Sequence, residues 1–446
     1  MRRGILAGVA LLLTAGSLQA GSLSLSEAMR QAARTSFKAD AAQLERAKAR
    51  EDTAQIRSLY LPELHFEGGH LNLDNQPQLT SAPILFSGMN LGSMVNPLAD
   101  TSSWCYKVSA QYLVYDFGKR HQALGASRAR EEAVGLRENG EIRRTQAEVA
   151  TRYVALLHIK AQRKVLEQRR KALEDHMKSV QDLFQQGIVA RNDLLRTEVA
   201  LRNLGDAERA LDSADAGARE ALNVAVGLEP TAPLNLPETL DAPPALPWDE
   251  AGCRRLAAQS SDHVKALRAK AKALESQVAL RRSDYAPNVV TEAFHSYEQN
   301  SYTPHPHESG LYLGISWKVF DGARASKVRQ AVSELDLGRR EIQEAERQAG
   351  NAATAAYRDF QVALQESKTS EANVASAEEN LRIVEDQYRE GLAQSTDALD
   401  AEALLADSRF WLASRRHRAY TQQAALLAVL GEDLPAFYEH STTKEP

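Results

Sequence analysis

The 446 residues contain only two cysteines, no excess of basic side chains, few aromatics (6%) and, past the first twenty positions, no apolar run long enough to cross a membrane as a helix. Cys105 and Cys253 cannot staple a chain of this length, and they are not expected to pair because they fall in segments assigned below to different regions. Lysine and arginine number 54 against 59 acidic residues, a net charge of -5, which leaves no basic surface for nucleic acid. A Gly-rich phosphate loop, a G-x-S-x-G elbow and an H-E-x-x-H pair are all missing, so no catalytic residue is assigned, no enzyme is expected and no cofactor is implied. Arg2 and Arg3 precede the apolar run Ile5 to Leu13, with small residues up to Ala20, which is the layout of a cleaved secretory signal. That run is shorter than the roughly 20 residues of a spanning helix, so the mature chain is expected to have no transmembrane helix. No cysteine sits just after the expected cut near Ala20 to carry a lipid anchor, and ordinary processing is expected.

What the chain does have is an internal duplication. QYLVYDFG at 111–118 is matched by SWKVFDG at 316–322, and from there the copies stay in register: Gly118 with Gly322, Tyr153 with Tyr357, Gly187 with Gly391, Asp193 with Asp397, Glu198 with Glu402 and Gly227 with Gly431, always 204 apart. Upstream, QAARTS at 31–36 matches LAAQSS at 256–261, and Tyr60-Leu-Pro62 matches Tyr285-Ala-Pro287, both 225 apart. The offset therefore changes only between Pro62 and Asp116, where the first copy carries about 20 extra residues, as loop tips tolerate. This divides the chain into a signal (1–20), a first repeat (21–228), a proline-rich connector (229–248), a second repeat (249–431) and a C-terminal tail (432–446).

Each copy opens with a polar helix, expected from Leu25 to about Arg57 and from Asp249 to about Arg282, each closed by proline soon after a tyrosine. The period then drops to two. Leu311, Leu313, Ile315, Trp317 and Val319 alternate with Tyr312, Gly314, Ser316 and Lys318, while Tyr106, Val108, Ala110, Tyr112 and Val114 alternate with Lys107, Ser109 and Gln111. Weaker partner strands are expected at about 63–71 and 288–297. Alone, such stretches also describe half-buried strands of a soluble sheet. Here they are almost the only strand signals in a mostly helical, exported chain, and they have the length and aromatic ends of barrel strands. Four strands cannot close a barrel, and open edges are not tolerated in lipid, so the strands must be pooled with those of other copies.

A helix of some 68 residues follows each hairpin, from Gly118 to about Gln186 and from Gly322 to about Glu390, roughly 100 Å at 1.5 Å per residue. Neither contains proline. Apolar residues recur every seven positions (Ile142, Val149, Leu156; then Ile159, Leu166, Leu173, Val180), and the second copy uses a smaller row, Leu335, Ile342, Ala349, Ala356 and Ala363. Short turns after Gly187 and Gly391 lead to return helices, with Asn192 and Thr396 expected as N-caps and Asp193 and Asp397 as favourable first-turn charges.

Nearly the whole mature chain resembles the TolC family of outer-membrane efflux proteins. The likeness rests on the duplicated order of elements and on the tip motifs FQQGIVARNDLLRTE (184–198) and YREGLAQSTDALDAE (388–402). It implies a mainly α protein with a small β-barrel part: a homotrimer whose tunnel of 12 helices is topped by a shared 12-stranded barrel, four strands per chain, in the outer membrane of a bacterial cell, with a long periplasmic extension. The implied role is a passive exit duct in a tripartite efflux or type I secretion system. Its implied partners are outer-membrane lipid, a periplasmic adaptor (membrane fusion) protein and an inner-membrane pump of RND, ABC or MFS type. By the same resemblance, Asp397 and Asp400 line the closed periplasmic aperture, where rings of like charge favour cations and exclude anions, and Tyr388 and Asp193 form a latch between the tips. The family's assisting arginine is Ala393 here, and Arg191 is the candidate substitute. Adaptor contacts map to Gly187, Val189, Arg191, Leu194, Gly391, Leu392 and Ser395.

Two other classes compete with this one. A periplasmic coiled-coil adaptor or scaffold accounts for the helices but leaves the duplicated strand pairs unexplained, and a porin would be nearly all strand. His295, His305, His307 and Glu308 gather where an external loop is expected, but Pro304 and Pro306 punctuate them and spacing fixes no fourth ligand, so they read as an exposed polar loop and no metal site is assigned.

Overall fold

The computed structural model describes residues 23–83, 85–87, 89–90, 92–187, 189–237, 242–390 and 392–442. The expected signal segment and Gly391 lie outside the described residues. In chain order the elements are α1 (Leu25–Thr35), α2 (Phe37–Ser58), β1 (Glu63–Asn72), β2 (Gln78–Thr80), β3 (Leu85–Phe86), β4 (Met89–Asn90), β5 (Val95–Pro97), β6 (Ser102–Tyr115), α3 (Lys119–Gln185), α4 (Arg191–Val226), α5 (Glu250–Ser260), α6 (Asp262–Ser283), β7 (Asn288–Glu298), β8 (His307–Ser316), α7 (Arg324–Arg389), α8 (Ser395–Leu430) and α9 (Leu434–Thr442). These elements fall into two compact units. One holds the described residues of 1–41, 139–261 and 348–446, and the other holds 42–138 and 262–347.

In the second unit, β1, β6, β7 and β8 form one antiparallel sheet in that order, so β1 and β8 are its edges. Residue register sorts the side chains into two faces. One carries Leu64, Phe66, Val108, Ala110, Ala293, Leu311, Leu313 and Ile315, with Trp104, Tyr106 and Tyr297 towards the loop end. No described residue covers it: Leu311, Leu313 and Ile315 are 78%, 69% and 70% exposed. The other face carries Glu63, Glu67, Lys107, Gln111, Glu292, Glu298 and Glu308, with Lys107 paired to Glu292 at 2.9 Å. An apolar face this large on a soluble protein would be a liability. Beside a polar opposite face and two unpaired edges, it is what a sector of a lipid-embedded barrel presents.

Below the strands the duplication recurs in side-chain detail. The Arg120 guanidinium lies 4.8 Å from the Tyr60 ring centroid, and Arg324 lies 4.9 Å from that of Tyr285. These are the tyrosines of the repeated Tyr-x-Pro, each under the arginine just inside a long helix. Asp116 accepts from the backbone N–H of Arg120 and pairs with its side chain at 3.0 Å, fixing the strand-to-helix corner.

The first unit holds the larger cores. Met29, Val149, Tyr153, Leu156, Leu222, Val226, Leu427 and Leu434 belong to one cluster, joining α1, α3, α4, α8 and α9. Leu166, Leu173 and Leu204 form another between α3 and α4. The heptad row expected on α3 is thus a buried seam at Val149, Leu156, Leu166, Leu173 and Val180. Gly227 and Gly431 end α4 and α8 at φ of 76° and 77°, a left-handed conformation that glycine adopts without strain. A Cβ on Gly227 would collide with Thr35 Oγ1, and one on Gly431 would meet the Ser260 carbonyl oxygen at 2.8 Å. In both copies the return helix ends against the break in the opening helix.

That break is a correction to the sequence reading. Each opening helix is two helices, interrupted at Ser36 (ψ 142°) and Ser261 (ψ 137°), the last residues of the repeated hexapeptides QAARTS and LAAQSS. Other boundaries move as well. The hydrogen-bonded ladder of β8 stops at Ser316, before Trp317 and Val319. Asn192 and Thr396 are not caps, because α4 and α8 begin at Arg191 and Ser395, after Ala190 and Gln394. His295 and His307 are strand residues rather than loop residues. Their rings stack 5.6 Å apart, and Glu308 takes the opposite face. Residues 434–442 of the expected tail form α9, packed on α1 and α8.

Candidate functional site

The tip of the first unit is built where α3 and α7 end and α4 and α8 begin. Gly187, at φ 74°, turns the chain out of α3, and its N–H donates to the Phe184 carbonyl. Arg191, the first residue of α4, is exposed and makes no ion pair among the described residues. Val189 and Leu194 are half-buried, and Leu392 is exposed. Asp397 and Asp400 stand exposed on the first two turns of α8. The Asp397 carboxylate accepts from the Gln394 N–H at 2.8 Å, so it caps its own helix while its outer edge stays in solvent.

Between these elements lies a groove of about 1050 Å³. Val189, His176, Tyr388, Ala393, Ala398 and Glu402 are among the residues that line it. Tyr388 is brought close to the first tip: burial raises its phenol pKa, and the nearby Asp193 carboxylate raises it further, against a smaller opposing effect of Ser395. The hydroxyl is buried without a hydrogen bond of proper geometry among the described residues. Tyr388 and Asp193 are thus close enough to interact electrostatically, and no hydrogen bond or ion pair joins Arg191 to either among the described residues.

Two residues outside the predicted set complete the site. The His176 ring packs 5.3 Å from that of Tyr388, and its Nε2 lies 3.0 Å from Ser395 Oγ. Burial holds the His176 pKa below the usual imidazole range, and Asp193 partly offsets this. Glu402 is buried, and one of its carboxylate oxygens has no hydrogen bond. Burial pushes its pKa up to about 7, with Arg169 and Arg409 pulling down and Glu385 pushing up. The Arg409 guanidinium donates its hydrogen bonds to Gln168 and Glu378.

The duplication carried a signal for His176 but none for Glu402, whose register partner is also a glutamate. Glu198, the register partner of Glu402, is half-buried and pairs with Arg202, whereas Glu402 is buried and makes no ion pair within 4 Å among the described residues. His176, Tyr388 and Ser395 stand opposite Asn380, Phe184 and Arg191, so the copies diverge where the second tip gains its polar contacts.

A raised carboxylate pKa ties tip packing to pH. The protonated form of Glu402 is favoured in the packed tip, so its contribution is full below the ordinary value near 4.5 and is lost as pH rises through about 7. His176 acts in the opposite sense, its contribution being lost as pH falls below the ordinary 6.5. Glu402→Gln is expected to stabilise the assembly at pH 8 by roughly 1–2 kcal/mol, after allowance for solvent screening, with the gain shrinking as pH falls towards about 4. Thermal melts of the assembly across that pH range check this.

Among the described residues, no helix is long and apolar enough to cross a membrane, and no three or more His, Cys, Asp or Glu side chains are arranged to hold a metal ion. Cys105 and Cys253 are both free.

Comparison with known proteins bears on both the sheet and the tip. A family model described as outer membrane efflux protein matches residues 28–228 and 254–432, nearly all of both repeats. No protein of curated function matches the sequence. Among solved structures, the outer-membrane channel OprN superposes with a TM-score of 0.72 at 16% identity, covering 92% of this chain and 90% of that one. The outer membrane protein VceC of Vibrio cholerae gives 0.70 at 17%, covering 92% and 96%. The open state of the MtrE outer membrane channel of Neisseria gonorrhoeae gives 0.71 at 16%, covering 92% and 89%.

Proposed function

The chain belongs to the outer membrane efflux protein family and is an outer-membrane channel of an efflux system, and from that premise we propose that it is the passive exit duct of a tripartite assembly. Three chains pool their sheets into one 12-stranded barrel, and a periplasmic adaptor couples their tips to an inner-membrane pump of RND, ABC or MFS type, in efflux or in type I secretion. The observation that carries this reading is the four-stranded sheet with two unpaired edges, one uncovered apolar face and one acidic face. Such a sheet is complete only when its edges meet those of other copies and its apolar face meets lipid. A soluble adaptor or scaffold would have no use for it.

At the periplasmic end, Asp397 and Asp400 of three chains narrow the aperture, with Tyr388 and Asp193 latching the two tips and Arg191 reinforcing them. Gly187, Val189, Arg191, Leu194, Gly391 and Leu392 receive the adaptor, whereas Ser395, buried against His176, lies behind that surface. Purified protein in planar lipid bilayers is expected to give discrete, small, cation-selective currents. Intact assemblies that insert without conducting would sink the duct reading and return the chain to the scaffold class.

A further inference from the structure

The second tip is clasped from a distance by a residue that belongs to neither tip motif. Tyr388 is the penultimate residue of α7 and Ser395 the first of α8, so the two flank the turn between those helices. His176, on α3, reaches both: its ring lies against Tyr388 at 5.3 Å, and its Nε2 meets the Ser395 hydroxyl at 3.0 Å. Ser395 is buried at this contact. We propose that His176 is a positioning residue of the closed aperture: one imidazole ties the end of α7 and the start of α8 to α3, and so fixes the turn of α8 that carries Asp397 and Asp400. The inference rests on the aperture reading above.

Three observations carry it. First, the contact falls where small movement matters most. Asp397 and Asp400 lie two and five residues beyond Ser395 on the same continuous helix, so a shift of Ser395 moves both carboxylates. Second, the capping of the first turn of α8, Asp397 to the Gln394 N–H, orders the helix end without tying it to another helix, and the apolar packing of Leu399 against Leu166, Leu173 and Leu204 supplies no directional contact, which the hydrogen bond of His176 adds. Third, the clasp exists at one tip only. The register partners Asn380, Phe184 and Arg191 cannot reproduce an imidazole bonded to a serine over a tyrosine ring, so the second tip has gained a fastening that the first lacks. Asp193, at the start of α4, adds a negative charge near the ring and brings the first tip to the same point.

The test compares single-channel currents of purified assemblies in planar bilayers for wild type, His176→Ala, His176→Phe, His176→Gln, Ser395→Ala and the double variant Asp397→Ala/Asp400→Ala. Loss of one hydrogen bond at a buried joint is expected to raise the open probability by about fivefold per protomer in His176→Ala and Ser395→Ala. His176→Phe keeps the ring contact and loses the polar one, so it is expected to open as well. His176→Gln restores a group that can bond Ser395 and is expected to stay within about twofold of wild type. Rescue by glutamine but not by phenylalanine separates the clasp from a packing role. If His176→Ala does not assemble, Ser395→Ala carries the test, because it removes a single oxygen. Currents that respond to the aspartate double variant but to neither His176→Ala nor Ser395→Ala overturn the clasp and leave the aperture standing. Currents that respond to neither set overturn the aperture reading with it, and a glutamine variant as open as alanine overturns the hydrogen bond as the cause.

Discussion

Leu313→Arg is expected to abolish stable assembly in the outer membrane. Leu313 lies midway along the apolar face of the four-stranded sheet, between Leu311 and Ile315, and is 69% exposed in the single chain. In a barrel that face meets acyl chains, and arginine near the midplane costs about 2–4 kcal/mol. Three symmetry-related copies suffer it together, so the cost to one assembly is about threefold that of a single chain. Gln111→Arg is the matched control: it places the same side chain on the opposite face, opposite Glu63 and Glu292 in register, and is expected to be tolerated. Heat-modifiable oligomers in the outer-membrane fraction, counted for both variants, check the assignment of faces. Equal loss in both would mean that the faces are reversed or that neither meets lipid.

The second large effect is expected at the aperture. Asp397→Ala with Asp400→Ala removes six carboxylates from a trimer, and conductance is expected to rise several-fold while block by divalent cations weakens. Asp397 also caps α8, and loss of a cap alone costs about 1 kcal/mol of helix stability. Asp397→Asn with Asp400→Asn separates the two roles, since asparagine caps a helix but carries no charge. If charge closes the pore, the asparagine pair conducts like the alanine pair. If capping is what matters, the asparagine pair conducts like wild type.

Much of this architecture is legible in the chain before any coordinates, because duplication supplies an internal comparison. The constant spacing of 204 forces α3 and α7 to near-equal lengths, 67 and 66 residues in the structure. Alternation locates β6 and β8, and the Gly-x5-Asp spacing locates the tips. What escapes is set by tertiary contact. Ser36 and Ser261 break their helices without proline or glycine, at points where the ends of α4 and α8 pack closely against the preceding residues Thr35 and Ser260. Alternation runs on to Val319 while pairing stops at Ser316, since the period reports which face meets an apolar phase and not where hydrogen bonds end. The tip is harder still. His176 and Ser395 are 219 residues apart and meet only when four helix ends converge. Glu402 looks like any helix-surface carboxylate until burial is known.

The measurement that tests the account most directly is the number of chains in the purified, detergent-solubilised particle, by native mass spectrometry. Two unpaired edges on a four-stranded sheet require other copies, and the proposed trimer predicts three chains and twelve strands, with no folded monomer that retains its strand signal. A stable single-chain particle with the sheet intact would contradict the shared barrel, and with it the duct.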